Sequence, residues 1–598
     1  MEIKAPARLR GVPGRPSSAH AGDGKGGHGN GGHHSGGGGS RGGAGRDRYK
    51  WVALTNTTVG VLLVMIDSSI VMIAMPAIFR GIHLNPLQTG NSFYLLWMML
   101  GYLIVTSVLV VSFGRLGDMF GRVKMYNHGF LIFTIASVLL SVDWMTGRAG
   151  ATYLIVFRVV QGIGGAFIAA NSRAILTDAF PVYERGLALG INNVSSIAGR
   201  FIGLVLGGLL AVVDWRLVFF VSVPFGIFGT IWSYTKLQER GVRTPAPIDW
   251  WGNATFAIGL ILVMIGITGG IQPHGGHVMG WTSPKVLTEI GVGVVLLVAF
   301  CLVETRVANP MFQMQLFRIR AFTFGTMSSF LSALARGGMM FMLIIWLQGI
   351  WLPLHGFSFD RTPLWAGIAM MPLSLGILVA GPASGYLSDR FGSRPFASGG
   401  MIAACLSFVF LVVLPVNFNY IVFALILLLS GIGQGAFASP NAAGIMNALP
   451  ADKRGVGSGM NTTFQNSAQV LSIGVFFSLM ISGLANALSS TVATGLRAQG
   501  VSAATANHVA HLPPVSVLFA AFLGYNPIER LLGEKTLSQL PHAAVASITA
   551  RNFFPSLISD PFRSGLHETF AFAAAICLVA ALASWSRGAK PVLEEGGV

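Results

Sequence analysis

Long apolar runs, separated by short polar segments, recur along almost the whole chain. Each run has about 20 residues, the length that an α-helix needs to cross a bilayer. The apolar residues within a run are continuous rather than alternating with polar ones, which favours helices over the strands of a membrane barrel. The pattern predicts 14 spanning helices, at about 51–78, 91–113, 124–142, 151–175, 186–211, 216–235, 250–270, 286–305, 321–349, 364–387, 396–415, 419–442, 456–483 and 567–586.

The composition supports this interpretation. Of the 598 residues, 53% are apolar and only 10% are charged, and the mean hydropathy is +0.66. A soluble domain carries about 25% charged residues, so the composition indicates an all-α polytopic membrane protein. Cys301, Cys405 and Cys577 fall inside predicted spans, and we expect no disulfide framework and no metal site. We also expect no cofactor.

The net charge of +17 is distributed unevenly among the loops. An even number of spans places both termini on one side of the membrane. The connecting loops on that side carry about 15 Lys and Arg, against about five on the other side. The positive-inside rule then predicts that both termini are cytoplasmic. Because the charge accounts for topology in this way, we expect no nucleic-acid partner.

Two segments depart from the pattern of spans. Residues 1–50 are rich in Gly, with scattered His and basic residues, and we expect a disordered cytoplasmic tail because such a segment cannot bury apolar surface. Residues 484–566 are expected to form a long extracytoplasmic loop with partly ordered structure. The apolar run 515–525 in this loop is too short to span, and is expected to cap the protein or to lie at the interface.

The sequence also repeats internally. The stretch "GRLGDMFGRVK" at 114–124 matches "GYLSDRFGSRP" at 385–395, and "ERGLALGINN" at 184–193 matches "KRGVGSGMNT" at 453–462. Repeated elements in equivalent spans predict a parallel duplication, as in transporters whose halves rock about a central site. The predicted domains are a six-helix bundle at 51–235, an inserted helix pair with linkers at 236–320, a second six-helix bundle at 321–586 and a cytoplasmic tail at 587–598.

With these elements the sequence resembles the major facilitator superfamily, and within it the 14-span drug:proton antiporters of the EmrB/QacA type. The resemblance covers 51–483 and the last span. It rests on "IDSSIVMIAMPAI" in span 1, "GRLGDMFGRVK" after span 2, "FRVVQGIGGAF" in span 4, "GINNVSSIAGRFIGLVLGG" in span 5 and "DWRLVFFVSVPFG" leading into span 6. It implies the major facilitator fold, two six-helix bundles related by a pseudo-two-fold axis, in the cytoplasmic (inner) membrane of a bacterium.

Asp67 is the one acid near the middle of a core span. Charged residues at membrane depth are functional candidates by default. Arg158 and Gln161 are three residues apart and share one face of span 4. The resemblance implies that Asp67 and Arg158 couple transport to protons, and a purely structural ion pair between them is the alternative.

The glycines of span 5 match the antiporter motif of the family. Gly199, Gly203 and Gly207 recur every four residues and predict a smooth face for close helix packing. Gly190 and Gly208 complete the motif. Leu204 stands where the family usually has Pro, and this change removes a kink from the helix.

Two further arginines lie at membrane depth. Arg200 interrupts the glycine motif, and Arg336 is the position in the second half that corresponds to Asp67. We expect Arg336 to line a central cavity opposite Asp67. Arg200 is expected either to border that cavity or to make a structural contact with a carbonyl group. The predicted substrate cavity comprises Gln161, Arg200, Arg336, Gln465 and Gln469.

The resemblance implies that the loop after span 2 latches the outward-open state. We expect Asp118 at a helix N-terminus and Arg122 in an ion pair across the two halves; the alternative is a basic loop that only sets topology. The predicted latch residues are Gly114, Asp118, Gly121 and Arg122, with Gly385, Asp389, Gly392 and Arg394 in the second half.

The resulting functional prediction is a multidrug efflux transporter, not an enzyme, that exchanges small amphipathic molecules for protons by alternating access. The sequence contains no phosphate-binding G-x-x-x-x-G-K-[ST] loop that would indicate ATP use. The alternative is an exporter of anionic compounds, such as fatty acids, siderophores or acidic natural products, which the core arginines favour. A periplasmic adaptor protein in a tripartite pump is a further predicted partner.

Overall fold

The computed structural model describes residues 41–85, 88, 90–181, 184–241, 249–307, 310, 312–450, 453–524 and 526–588, without the side chains of 41–47, 185–187, 389 and 530. The chain divides into two units, residues 1–48 and 49–598. In the first unit residues 41–48 are described, and they are helical. Most of the predicted tail at 1–50, and most of the tail at 587–598, lie outside the described residues.

The second unit is built from long apolar helices. Across the described residues, 14 helices are long and apolar enough to cross a membrane, and no strand is present. The predicted number of spans and the all-α fold class are therefore confirmed. The helices are α1 (Arg48–Gly81), α2 (Asn91–Phe120), α3 (Arg122–Ser141), α4 (Gly147–Ala179), α5 (Ala188–Val213), α6 (Leu217–Lys236), α7 (Trp250–Gly270), α8 (Pro284–Glu304), α9 (Arg320–Leu354), α10 (Thr362–Ser388), α11 (Ser393–Val413), α12 (Tyr420–Asn447), α13 (Arg454–Ala498) and α14 (Phe553–Trp585).

The largest differences from the predicted boundaries flank the segment 484–566. There α13 continues to Ala498 and α14 begins at Phe553, because residues such as Ala and Leu maintain a helix after the mean hydropathy has fallen. Between α13 and α14 the chain forms four short helices. These are Ala503–Ala510, Pro514–Phe522, Ile528–Leu537 and His542–Thr549.

The predicted apolar run of this segment forms the helix Pro514–Phe522, and all of its residues are buried. Phe519 packs against Phe477 of α13, and Phe522 packs against Phe341 of α9. We call the end of the bundle where α1 begins and α14 ends the terminal end, and the opposite end the far end. The helix Pro514–Phe522 caps the far end, as one of the two sequence expectations had it.

The two halves of the bundle, α1–α6 and α9–α14, repeat the same turn. Gly121 joins α2 to α3 with a φ of 113°, and Gly392 joins α10 to α11 with a φ of 88°. Such positive φ values favour glycine because it has no Cβ. The halves meet where α5 packs against α10 and where α2 packs against α13, and α7 of the inserted pair contacts both α2 and α13.

The glycine face of α5 lies directly on the backbone of α1. A Cβ atom added to Gly199, Gly203 or Gly207 would lie 3.0, 2.6 or 2.8 Å, respectively, from a carbonyl oxygen of α1. Those oxygens belong to Leu62, Ile66 and Ile70, which are also spaced by four residues. The predicted packing face is thus present, and it brings α5 into contact with the helix that carries Asp67.

This close contact predicts that one added methyl group on the glycine face of α5 destabilises the protein. We expect Gly203→Ala to lower the free energy of unfolding by about 1–3 kcal/mol, because α1 and α5 must move apart. Gly190→Ala is the matched control, because no atom lies within 4 Å of a Cβ at Gly190. Thermal unfolding of both purified variants in detergent measures the difference. Equal midpoints for the two variants would contradict the packing argument.

Candidate functional site

A buried carboxylate lies at the centre of the first half. Asp67 of α1 is 0% exposed and Arg158 of α4 is 2% exposed. The Arg158 Nη1 donates to Oδ2 of Asp67 at 2.5 Å, and Nε2 of Gln161 donates to Oδ1 of Asp67 at 2.9 Å. Both carboxylate oxygens therefore have partners, and the structure brings together the two residues that the sequence assigns to proton coupling.

Two residues that the sequence analysis missed complete this site. Nε2 of Gln161 also donates to Oγ of Ser137 on α3 at 2.9 Å, and the Arg158 guanidinium lies 4.3 Å from the ring centroid of Tyr102 on α2. Helices α1 to α4 thus all contribute to one polar cluster. Neither Ser137 nor Tyr102 carries a charge or a motif that could have identified it.

The ion pair in this cluster depends on the charge of Asp67. A buried charge is stable only with close partners, and removing one partner leaves the other charge uncompensated. Protonation of Asp67 would remove the charge that Arg158 and Gln161 now contact, and would weaken one of the contacts between α1 and α4. The arrangement therefore links the protonation state of one side chain to the packing of two helices.

Gln161 requires a correction. The sequence analysis placed it in the substrate cavity, but its side chain is 0% exposed and its amide is occupied by Asp67 and Ser137. The helical spacing correctly puts Gln161 on the same face as Arg158. That face of α4 is directed into the first half, toward α1 and α3, and not toward the second half.

The two halves are in close contact at the far end. Nε2 of Gln348 on α9 donates to the carbonyl oxygen of Ile73 on α1 at 3.2 Å. Arg80 of α1 lies 3.4 Å from Oδ1 of Asp360, and its Nη1 donates to the carbonyl oxygen of Leu523 at 3.1 Å. These contacts join the first half, the second half and the capping segment.

The accessibility of α1 and α9 changes abruptly halfway along each helix. On α1, Leu62, Met65 and Ser68 are half-buried, whereas residues 73–79 are all buried. On α9, residues 336, 337 and 340 are half-buried, whereas residues 341–353 are all buried. On these equivalent helices of the two halves, the half-buried positions therefore end before the far end. Together with the contacts above, this pattern shows that α1 and α9 are packed more tightly at the far end than midway along each helix.

Arg200 and Arg336 are each half-buried. The neighbouring Gly199 faces Leu62 and Met65 of α1, and Arg200 lies about 100° further around α5. The structure does not bring Arg336 to Asp67, whose two carboxylate oxygens accept from Arg158 and Gln161 within the first half.

The two remaining predicted cavity residues lie on α13. A Cβ at Gly337 would lie 3.2 Å from Cγ of Gln469, so Gln469 is beside the turn that carries Arg336. Gln469 and Gln465 are both half-buried and are one helical turn apart. Their positions are compatible with the predicted cavity.

The latch residues of the first half form a network within that half. Arg122 donates to Oδ1 of Asp118 at 2.8 Å and to Oδ1 of Asp178 at 2.6 Å. The Glu239 carboxylate accepts the backbone N–H groups of Arg122 and Val123 at 3.0 and 3.1 Å. The acid at the N-terminus of α3 is thus Glu239 and not Asp118, and Arg122 pairs with acids of its own half in this conformation.

The equivalent residues of the second half are arranged differently. The Arg394 guanidinium lies 4.1 Å from the ring of Trp585 at the end of α14. A Cβ at Gly385 would lie 3.0 Å from Oγ of Ser439, whereas nothing lies within 4 Å of a Cβ at Gly114. The side chain of Asp389 lies outside the described part of the structure. The role of both loops as a latch stays a prediction.

A pair of variants distinguishes the two interpretations of the first loop. We expect Arg122→Gln to lower the free energy of unfolding by about 1–3 kcal/mol, because two acids lose a partly buried partner. Lys124→Gln removes the same charge from an exposed side chain of the same loop and should change stability little. Thermal unfolding of both variants gives the comparison. Equal effects would favour a loop that only sets topology.

Comparison with known proteins identifies the class. The sequence profile of the Major Facilitator Superfamily matches residues 57–473. Because this match covers more than half of the chain, the protein belongs to that superfamily, whose members are transporters of small molecules and not enzymes. It is a multi-pass membrane protein.

Several curated relatives are export proteins. The chain is 26% identical to the tetracenomycin C resistance and export protein of Streptomyces glaucescens, over 90% of this chain and 92% of that protein. It is 24% identical to the multidrug transporter protein MdtP of Bacillus subtilis, over 75% and 78% of the two chains. It is also 27% identical to the riboflavin transporter RibZ of Clostridioides difficile, over 73% and 90%.

Solved structures support the fold. A bacterial homologue of the human lysosomal transporter Spinster superposes with a TM-score of 0.52, over 91% of this chain and 99% of that chain. The two sequences are 15% identical, so this likeness concerns the fold alone.

Proposed function

We propose that this protein is a proton-coupled exporter of amphipathic small molecules in the cytoplasmic membrane of a bacterium, with both termini in the cytoplasm. The observation that carries the proposal is the enclosed cluster of Asp67, Arg158 and Gln161. The export and drug-resistance relatives support the direction of transport. The distribution of Lys and Arg supports the orientation.

In the proposed cycle the two halves alternate between two packing arrangements, and the proton and the cargo cross the membrane in different steps. Protonation of Asp67 frees Arg158, and α1 shifts relative to α4. Because α1 lies against the glycine face of α5, the shift passes to α5, and Gly208 of α5 lies against Leu364 of α10 in the second half. This sequence of contacts would connect the proton site to the closure at the far end.

The test is transport by the full-length protein in proteoliposomes. With the terminal end facing outward and an acidic lumen, cargo is expected to accumulate in the lumen while protons leave it. A protonophore should abolish that accumulation. Movement of cargo and protons in the same direction would contradict the proposal and favour symport. A relative with the name of a riboflavin transporter makes this comparison informative.

The charge of the cargo and the adaptor are separate questions. Export of anions is the second candidate function, and the positions of Arg200 and Arg336 favour it. The periplasmic adaptor of a tripartite pump stays a prediction, and co-purification from a cross-linked membrane would test it.

A further inference from the structure

A second pair of buried acids lies at the terminal end of the inserted helices, outside the Asp67 cluster. Asp249 directly precedes α7, and Glu304 is the last residue of α8. Their side chains are 5% and 2% exposed, respectively. A buried carboxylate is costly unless its charge has a close partner, so the contacts of each oxygen decide what this pair does.

One oxygen of each acid holds the local backbone. Oδ1 of Asp249 accepts the backbone N–H of Gly252 at 2.8 Å and caps the N-terminus of α7. Oε2 of Glu304 accepts the backbone N–H of Phe312 at 2.7 Å, which fastens the chain that follows α8. These two hydrogen bonds fix the positions of both carboxyl groups.

The other oxygen of each acid has no donor. Oδ2 of Asp249 and Oε1 of Glu304 are buried and accept no hydrogen bond from any part of the chain that the structure describes. A Cβ atom added to Gly252 would lie 2.7 Å from Oε1 of Glu304 and closer still to Oδ2 of Asp249. The two oxygens therefore lie side by side, at a separation that a hydrogen bond between the acids spans. Such a bond needs a proton on one acid, because ionised carboxylates only accept.

The charge around the pair also matches one proton. Among the described residues, Arg115 of α2 is the cation whose charge acts on Glu304, and its guanidinium donates to the carbonyl oxygen of Pro310. Cys301, one turn earlier on α8, is the other titratable group beside Glu304. One guanidinium balances one negative charge, whereas two adjacent buried carboxylates repel each other. Two acids that share one proton carry that single charge.

An aromatic ring connects the pair to the second half. Phe312, whose N–H group Glu304 accepts, is buried. Its ring centroid lies 5.3 Å from that of Phe300 on α8 and 5.8 Å from that of Phe464 on α13. α13 thus presents a neutral side chain to this region. The ring that Glu304 fastens therefore joins the inserted pair to a helix of the second half.

We propose that Asp249 and Glu304 share one proton, and that this pair is a second proton-binding site that controls the contact of Phe312 with α13. With the proton in place, the two acids hold α7, α8 and Phe312 together. Without it, two adjacent negative charges repel, and the carboxylate of Glu304 turns away from Asp249 and releases Phe312. The site responds to the pH on the side of the membrane that the terminal end faces, and it is separate from the proposed coupling by Asp67.

The first experiment detects the proton by infrared spectroscopy of the purified full-length protein at neutral pH. A protonated carboxyl group has a carbonyl stretch that is distinct from the bands of a carboxylate. Glu304→Gln and Asp249→Asn should each remove one such signal, because the new amide donates the hydrogen that the proton otherwise supplies. Both amides keep an oxygen that accepts from Phe312 or Gly252, so both variants should fold. The double variant should lose no more signal than either single variant.

Glu289→Gln is the matched control, because Glu289 lies on the same helix toward its far end, 3.9 Å from Lys285. It should leave the acid signal unchanged. Full signal in Glu304→Gln, or loss of two signals in the double variant, would overturn the inference of one shared proton. Stabilisation of the unsubstituted protein by Ca²⁺ at neutral pH, with no acid signal, would assign the pair to a bound cation and equally overturn it.

The second experiment follows the consequence for stability and for Phe312. The folded protein retains a proton that the unfolded chain releases, so its thermal midpoint should fall as the pH rises from mildly acidic to mildly alkaline. The fall should be smaller in Glu304→Gln, which has no proton to lose at this pair. At mildly alkaline pH, amide hydrogen exchange in peptides that contain Phe312 should be several-fold faster in the unsubstituted protein than in Glu304→Gln.

At mildly acidic pH the two proteins should exchange equally, and Glu289→Gln should behave as the unsubstituted protein at both pH values. Equal exchange by Glu304→Gln and the unsubstituted protein at alkaline pH would refute control of Phe312 by the pair. Neither experiment uses cargo or a proton gradient, so the outcome is independent of whether the protein is a proton-coupled exporter.

Discussion

Asp67→Asn is expected to abolish proton-driven accumulation of cargo while downhill exchange of cargo continues. Asparagine keeps an oxygen that can accept from Arg158 and has nearly the shape of a protonated aspartic acid, but it neither binds nor releases a proton. A carrier with this substitution should behave as if permanently protonated. It can still reorient, and it can no longer couple that reorientation to a gradient.

The measurement has two parts. Accumulation against a concentration gradient, driven by an imposed pH difference, should fall to the level of protein-free liposomes. Counterflow, in which internal unlabelled cargo exchanges for external labelled cargo, needs no proton and should persist. Loss of both activities would instead indicate a structural defect. Full accumulation by Asp67→Asn with the pH difference intact would refute the assignment of Asp67.

Stability must be measured alongside transport, because the substitution leaves Arg158 without its counter-charge. Removing one partner of a buried ion pair costs about 3–5 kcal/mol. The double variant Asp67→Asn with Arg158→Gln removes both charges and is expected to recover part of that loss. It should still show no proton-driven accumulation. Recovery of accumulation in the double variant would show that the pair has a structural role alone.

The sequence was sufficient to predict the elements that depend on residues close together in the chain. Apolar runs of bilayer length defined all 14 helices, and the four-residue spacing of Gly199, Gly203 and Gly207 defined a packing face. The boundaries of α13 and α14 were less predictable. Residues 484–498 and 553–566 are helical but lie outside the most apolar windows, so hydropathy alone ends each span early.

The site was predictable only in part, because helical periodicity gives a shared face and not its direction. Arg158 and Gln161 were correctly placed together, yet the face they share is directed into the first half. The duplication related Arg336 to Asp67 by sequence position alone. It gave no indication that the acid is fully buried within its half while the arginine is half-buried.

Contacts over long sequence separations had no local signal. The Glu239 carboxylate accepts from the backbone of Arg122 and Val123, more than 100 positions earlier in the chain. A backbone N–H is identical in every residue except proline, so no residue type near position 122 marks such a partner. Ser137 and Tyr102 escaped prediction for a related reason, since an uncharged polar residue on a spanning helix has many possible neighbours.

Gly208→Leu is expected to shift the protein away from the conformation that is closed at the far end. A Cβ at Gly208 would lie 2.3 Å from Cα of Leu364 and 2.6 Å from its backbone nitrogen, and these atoms belong to the other half. Backbone atoms cannot rotate away from a new side chain, so the two halves must separate there. Gly207, the adjacent residue, instead faces Ile70 and Ile73 of its own half.

The distance between spin labels at Val213 and Arg361 reports this separation. Val213 is 76% exposed at the end of α5, and Arg361 is exposed just before α10. The labels are introduced after Cys301, Cys405 and Cys577 have been replaced by Ala. In Gly208→Leu the longer distances should dominate, and counterflow should fall because closure at the far end is one half of the cycle.

Gly190→Leu is the matched control for this prediction, since Gly190 is exposed and belongs to the same helix and motif. It should leave the label distances and counterflow unchanged. An unchanged distance distribution in Gly208→Leu, with normal counterflow, would show that α5 and α10 need not approach this closely during transport. Longer distances between the labels, with Asp67 unchanged, would instead show that the surface of α5 controls closure of the far end. The contacts from Asp67 through α1 to α5 would then connect the proton site to that closure.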